Sequence, residues 1–150
     1  MWERAAGIKP DDYQSLILLN QVYASLGQLP EATRAGQCGV ERAEREFAKN
    51  PVNPRPAYFM ATTLAKMGEM ARAAEWAETA LIIAPNDILT QYNIACYYSA
   101  SGNFDRAFEM LDRLLPLSNA GMKAWILSDS GLDPLHEDQR WQGVLRRVDQ

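Results

Sequence analysis

The sequence predicts an all-α solenoid of stacked helical hairpins, and three observations carry that prediction. The string Met60-Ala61-x-x-Leu64-x-x-x-Gly68-x-x-x-x-Ala73 returns as Ile94-Ala95-x-x-Tyr98-x-x-x-Gly102-x-x-x-x-Ala107, with every matched position displaced by 34. An earlier copy, Leu19-Asn20-x-x-Tyr23-x-x-x-Gly27-x-x-x-x-Ala32, is displaced by 41, which is 34 plus seven. Pro51 and Pro85 are also 34 apart, so residues that cannot continue a helix keep the same period. One hairpin cannot bury its apolar face alone, so units repeated at this period must stack.

The elements follow in chain order. In repeat phase Pro10 falls on the closing proline and Ala5 on a small position. Residues 1–12 therefore read as the end of a preceding repeat, and the chain as a piece of a longer protein. A short N-terminal capping helix is the alternative. Residues 13–53 form repeat 1, whose seven extra residues lengthen its second helix to about residues 30–49. That adds two turns, about 10 Å. Val40, Ala43 and Phe47 share one stripe of the extension, and Glu41 stands one helical turn before Arg45 as a favourable pair. The extension reads either as a solvated helix end or as a docking ledge. Gly36 and Gly39 each cost a helix about 1 kcal/mol against alanine, which predicts a close helix contact there.

Residues 54–87 and 88–118 form repeats 2 and 3. Gly27, Gly68 and Gly102 end the first helices, where a glycine takes positive φ without penalty, and Ala32, Ala73 and Ala107 let the second helices approach. Residues 119–150 read as a C-terminal cap. A short helix over 119–127 carries Met122, Trp125 and Ile126, a loop covers 128–135, and a final amphipathic helix covers 137–148. Trp141, Val144, Leu145 and Val148 form the stripe of that helix. Trp141 is expected against Leu111, Leu114 and Leu115, with Leu132 and Leu135 between and Asp133-Pro134 as the turn that aims the helix.

Composition narrows the function. The 150 residues are 47% apolar and 23% charged, the profile of a folded globular chain. Fifteen basic and nineteen acidic residues give a net charge of −4, which argues against nucleic acid as the main partner. The longest apolar run, from Ala80 to Pro85, is far too short to insert in a membrane. Two cysteines, Cys38 and Cys96, are too few for a secreted disulfide scaffold, which points to a reducing, cytoplasmic setting. With His136 they make only three scattered candidates, short of the four ligands of a structural zinc site. Cys96 with His136 could form a nucleophile pair, but packing roles account for both. Asp129 to Asp133 lacks the alternating oxygens of a calcium loop and reads as a turn. No phosphate-loop or nucleophile-elbow string occurs, so no enzyme and no cofactor is expected. Arg146 and Arg147 read as solvated surface, and His136 as a surface or hydrogen-bonding residue.

The spacing of small and large residues, then Gly, then Ala, then Pro, resembles the tetratricopeptide repeat (TPR) family over about residues 13–118. Gln91 to Tyr98, with Ala107 and Leu114, is the nearest match; the first copy departs with Asn20 at a usually small position. The resemblance implies a concave face lined by the first helices, where partners lie. By phase that face carries Gln14, Ile17 and Gln21 from repeat 1, and Arg55, Tyr58, Thr62 and Lys66 from repeat 2. Repeat 3 adds Leu89, Tyr92, Cys96 and Ser99. Tyr58 and Tyr92 are equivalent, and either offer an aromatic pair to a peptide or cover neighbouring repeats. Some members hold carboxylates with lysine, arginine and asparagine; here Ile17, Gln21, Tyr58 and Thr62 stand at such positions and only Asn93 matches in type. An apolar or mixed peptide is the expected ligand. The tail from Asp129 to Trp141 is similar to TPR tails of certain bacterial signalling proteins, where they follow a class III adenylate/guanylate cyclase, a kinase or a DNA-binding domain. The resemblance implies a protein-interaction module, regulating or dimerising a larger signalling protein, with a free-standing adaptor as the alternative. Its partners would be a protein, a peptide or a second copy of the chain.

Overall fold

One turn, made three times, sets the geometry. Gly27, Gly68 and Gly102 have φ of 73°, 85° and 81°, and they are the positive-φ residues among those described. A Cβ at any of them would meet open space, so the requirement for glycine lies in the backbone alone. The next residue donates its N–H back into the helix just ended: Gln28 to Tyr23, Glu69 to Leu64 and Asn103 to Tyr98, each at 2.9 Å. This is the Schellman closure of a helix, and it aims the following helix back along the first.

The computed structural model describes residues 12–149. The expectation for the chain's start therefore lies, except for Asp12, outside the described residues. The helices are α1 (Tyr13–Ser25), α2 (Leu29–Lys49), α3 (Arg55–Lys66), α4 (Met70–Ile83), α5 (Ile88–Ser101), α6 (Phe104–Leu114), α7 (Ala120–Ser128) and α8 (Trp141–Val148). The fold is all-helical and TPR-like: α1 packs on α2, α3 on α4 and α5 on α6, while α3 bridges α2 and α5. Asp12, Asp87, Asn103 and Asn119 cap four of these helices by accepting a backbone N–H from the third residue on. Pro30 and Pro56 sit in the first turns of α2 and α3, where the missing N–H has no helical partner to lose.

Gly39 answers to α1, and Gly36 to both α1 and Met67 at the end of α3. A Cβ on Gly36 would lie 2.7 Å from Met67 Sδ and 2.9 Å from Asn20 Nδ2, and one on Gly39 would lie 3.1 Å from Ile17. Asn20 is buried and donates from Nδ2 to the Ala32 carbonyl at 2.7 Å. The large residue at a small position of α1 is thus accommodated by removing the side chain opposite. Repeat 2 has Ala61 and Ala77 at the equivalent positions, both displaced by 41.

The extension of α2 is folded onto the chain itself. Phe47 meets Trp76 edge-on at 5.0 Å, Val40 and Ala43 are buried, and Arg72 reaches Glu44 at 2.7 Å. Its apolar side is therefore used against repeat 2 and is no free ledge. Arg45 donates to the Glu41 backbone carbonyl at 3.5 Å rather than to the carboxylate expected.

The tail departs most from expectation. Residues 128–135 are not a loop: Ser130–Glu137 forms a 3-10 helix, and α8 begins at Trp141. Trp141 is buried, as are Leu132 and Leu135, in one core with Leu111, Leu114 and Leu115. His136 stacks on the Trp141 ring at 4.3 Å. Arg147 is no solvated bystander, since it pairs with Asp112 at 2.5 Å, and Arg140 pairs with Asp105 at 2.7 Å. Arg140 also lies 4.5 Å over the Phe108 ring. The packing keeps the repeat clock, because Trp141, Val144, Leu145 and Val148 match Ala107, Met110, Leu111 and Leu114 at the same displacement of 34. The tail keeps the repeat's phase in sequence, but α7 and α8 pack on each other far less than the two helices of a repeat do.

Two outcomes follow from this packing. Trp141→Ala should lose about 3–5 kcal/mol of unfolding free energy in a denaturant titration, against no more than about 0.5 kcal/mol for exposed Arg146→Ala. Gly36→Ala should lose about 1–3 kcal/mol by dislodging the buried Asn20 amide. Adding Asn20→Ala should recover the part of that loss due to the amide, while the contact with Met67 Sδ remains to be relieved by the flexible thioether. Additive losses in the double variant would refute this pairing.

Candidate functional site

The concave face lies along α1, α3 and α5, and the structure sorts the expected residues into two sets. Gln14, Gln21, Arg55, Lys66 and Leu89 are exposed or half-buried at the surface, and Thr62 is half-buried. Ile17, Tyr58, Tyr92, Cys96 and Ser99 are buried. The second set, expected to meet a ligand, meets the chain instead.

Ile17 is turned against Gly39 of α2 and Tyr58 lies on Phe59, whereas Tyr92 and Cys96 are covered from the break between α7 and the 3-10 helix at Asp129. Residues 128–130 turn inward and lay the 3-10 helix across α5. The Tyr92 hydroxyl donates to Asp129 Oδ2, and Asp129 Oδ1 accepts the Gly131 N–H at 2.8 Å. Cys96 Sγ lies 4.0 Å from Asp129 Oδ2. Trp125, at the end of α7, lies against the Tyr92 ring at 5.2 Å while staying 52% exposed. Ser99 Oγ is buried with no hydrogen-bond partner among the described residues. Tyr92 is thus a wall held by an internal carboxylate, not a free hydroxyl handle. Burial raises the Tyr58 hydroxyl above its ordinary range, partly offset by the Arg55 cation beside it.

Two cavities flank the crossing, and a third recess on the same face, of about 340 Å³, is walled by Gln14, Ser15, Ile17, Leu18, Gln21 and Phe59. Of the flanking pair, one, of about 490 Å³, is walled by Arg55, Tyr58, Phe59, Leu89, Tyr92, Asn93 and Trp125. The other, of about 290 Å³, is walled by Asn20, Ala24, Leu29, Ala32, Thr33, Lys66 and Met67. Gln21 and Ser130 line both, so the two are neighbours on either side of the crossing. Thr62 lies within hydrogen-bond reach of the Tyr58 and Asn93 carbonyls, at 3.4 and 3.5 Å, and ties α3 to α5 below the face. Sequence reasoning misses Trp125, Phe59 and Asp129 as parts of the face. Trp125 is read only as a residue of the short helix over 119–127, Phe59 is given no role, and Asp129 reads as a turn residue.

Cys96 and His136 are not brought together: His136 covers Trp141, whereas Cys96 lies beside the Asp129 carboxylate. Among the described residues no group of three His, Cys, Asp or Glu side chains is placed to hold a metal ion. Nor is any described helix long and apolar enough to cross a membrane.

A TPR-like solenoid of helical hairpins is the class of protein this geometry defines. The mouse (Mus musculus) protein "Interferon-induced protein with tetratricopeptide repeats 3" is 30% identical over 114 residues, which is 76% of this chain. The chain spans 27% of that relative's length. The comparison supports a TPR-like chain, in agreement with the fold. No family model matches it.

Burial beside the Asp129 carboxylate pushes the Cys96 thiol from 9.0 up to about 12. The sign follows: above pH 9.0 the unfolded chain sheds this proton while the folded chain keeps it to about pH 12, so stability falls as pH rises through that window. At mildly alkaline pH a disulfide reagent should label partly exposed Cys38 and leave Cys96 unmodified until denaturant is added. Equal native labelling of both thiols would show that the crossing over α5 is open.

Proposed function

We propose that this chain is a protein-interaction module that binds a peptide segment along its concave face, across the two cavities on either side of residue 130. The observation that carries the reading is Trp125. A tryptophan that is 52% exposed, lying beside Phe59, Leu89 and Tyr92 in a recess, is the kind of side chain that dominates binding energy in protein interfaces. The similarity to a TPR protein supports the same class.

The finer reading places the module in the cytoplasm, as a C-terminal regulatory or dimerisation part of a larger bacterial signalling protein of cyclase or kinase type. It rests on the resemblance of the segment from Asp129 to Trp141. A free-standing adaptor uses the same face in the same way.

Selection of a displayed random peptide library on the whole chain tests the reading. Selected peptides should bind Trp125→Ala at least about tenfold more weakly, a loss of about 1.4 kcal/mol, with helical circular dichroism unchanged. The control Ile82→Ala, at a 74% exposed position on α4, should bind as the parent does. Peptides that ignore Trp125, or lose as much at Ile82, would place the binding surface elsewhere.

A further inference from the structure

The first helices of repeats 2 and 3 are covered on one side by the hairpin before them, and the first helix of repeat 1 is not. Val22, Thr63 and Tyr97 hold one position of the three repeats, displaced by 41 and then by 34. Thr63 and Tyr97 are 2% and 7% exposed, whereas Val22 is 43% exposed. At the position of Leu19, Met60 and Ile94 are fully buried while Leu19 is half-buried. The neighbours account for the difference. α3 has α1 and α2 against it, and α5 has α3 and α4, but among the described residues no element precedes α1.

The open helix nonetheless has the composition of an interior one. No charged residue lies between Asp12 and Glu31, just as none lies within α5, which is enclosed by α3, α4, α6 and the 3-10 helix. The second helices do carry charge, with Arg72, Glu75 and Glu78 in α4 and Asp105, Arg106 and Glu109 in α6. Depletion of charge from an exposed apolar edge marks an interface core rather than a solvated surface.

The edge is also complementary to itself. Leu18, Val22 and Leu26 are exposed and recur every four residues along one stripe of the helix. Leu18 and Leu26 stand four residues to either side of Val22. A second α1 laid antiparallel about a two-fold through Val22 therefore sets Val22 on Val22 and Leu18 on Leu26. With Leu19 and Tyr23 beside it, the stripe exposes on the order of 400 Å² of apolar surface, the size that marks an association site. Two copies bury twice that area, and a polar rim brings the pair to roughly 1,200 Å², the low end for a specific complex. A head-to-tail stack would need an apolar face at the far end of the chain, where Gln142 and Arg146 of α8 stand exposed. A closed pair needs no second face.

From these observations we propose that the open edge of α1 is a homodimer interface, in which two copies pair their α1 helices antiparallel about Val22. It does not rest on the peptide-binding reading. Gln21, which lines the recess at Trp125, points about 100° away from Val22 on the helix.

Sedimentation equilibrium of the whole chain should show a monomer–dimer equilibrium in the micromolar range. Val22→Glu sets two carboxylates face to face at the axis, and it should weaken the dimer at least about tenfold with helical circular dichroism unchanged. Ile82→Glu, at an exposed position on α4, should not. A short bismaleimide should join Val22→Cys to its own copy, because a residue on the two-fold meets itself, and should not join Ile82→Cys. The parent chain measures the background from Cys38. A chain that stays monomeric up to about 100 µM, its edge bare or covered by another segment, overturns the proposal. So does a dimer indifferent to Val22→Glu, or an association that grows without closing at two copies. Trp125→Ala should leave the dimer intact, and the Val22→Glu monomer should still select Trp125-dependent peptides, so failure of the dimer is distinguishable from failure of the peptide-binding reading.

Discussion

Every angle in the stack depends on a backbone that turns left for one residue. At Gly27, Gly68 and Gly102 the chain leaves a helix by positive φ, and a hydrogen bond back into the last turn locks the exit. Any residue with a Cβ would strain the same conformation, because the left-handed region is costly for L side chains. With the exit fixed, the second helix has one direction in which to run. The small residues Ala73, Ala77 and Ala80, all fully or nearly fully buried, then set how closely it lies. The solenoid is a local rule repeated, which is why its period can be read from the chain.

The rule tolerates exchange between facing positions. Repeat 1 places an amide on α1 and removes the side chain on α2, whereas repeat 2 divides the same space between two alanines. Interiors packed to near-crystal density fix the total volume more strictly than its division between partners. Asn20 costs little because its donor finds the Ala32 carbonyl, a group the neighbouring helix presents at its first turn.

These relations also explain what is legible in the sequence. The hairpins, their turns, the lengthened α2 and the close approach at Gly36 all depend on contacts with fixed sequence spacing. Trp141 is legible for the same reason, since it keeps the repeat's phase. The concave face is legible only as a position on helices. Phase says which way a side chain points and nothing about what arrives to cover it. The contact of Asp129 with Tyr92 crosses a break in helical order, and no periodicity encodes a break. The 3-10 helix reads as loop because Ser130, Gly131 and Pro134 are turn formers; tighter i to i+3 winding admits them where an α-helix would not. The role of Arg147 is hidden because its partner Asp112 lies on another helix, beyond the reach of local charge patterning.

On the proposed peptide-binding reading, the crossing of the concave face by residues 128–130 changes the kind of receptor. An undivided groove rewards a ligand for total contact, and longer complementary segments bind more tightly. Here two small recesses of about 490 and 290 Å³ are separated by a fixed bridge. Each alone offers little surface. A ligand that fills one then presents its remainder to the other at the effective concentration set by the intervening chain, in the millimolar range for short flexible tethers. Selectivity in such a receptor comes from the length of the tether as much as from the groups at its ends. A tether too short to pass the bridge gains nothing from the second recess, and one too long loses the advantage gradually. The bridge acts as a ruler, and its fixed point is the hydrogen bond between Tyr92 and Asp129.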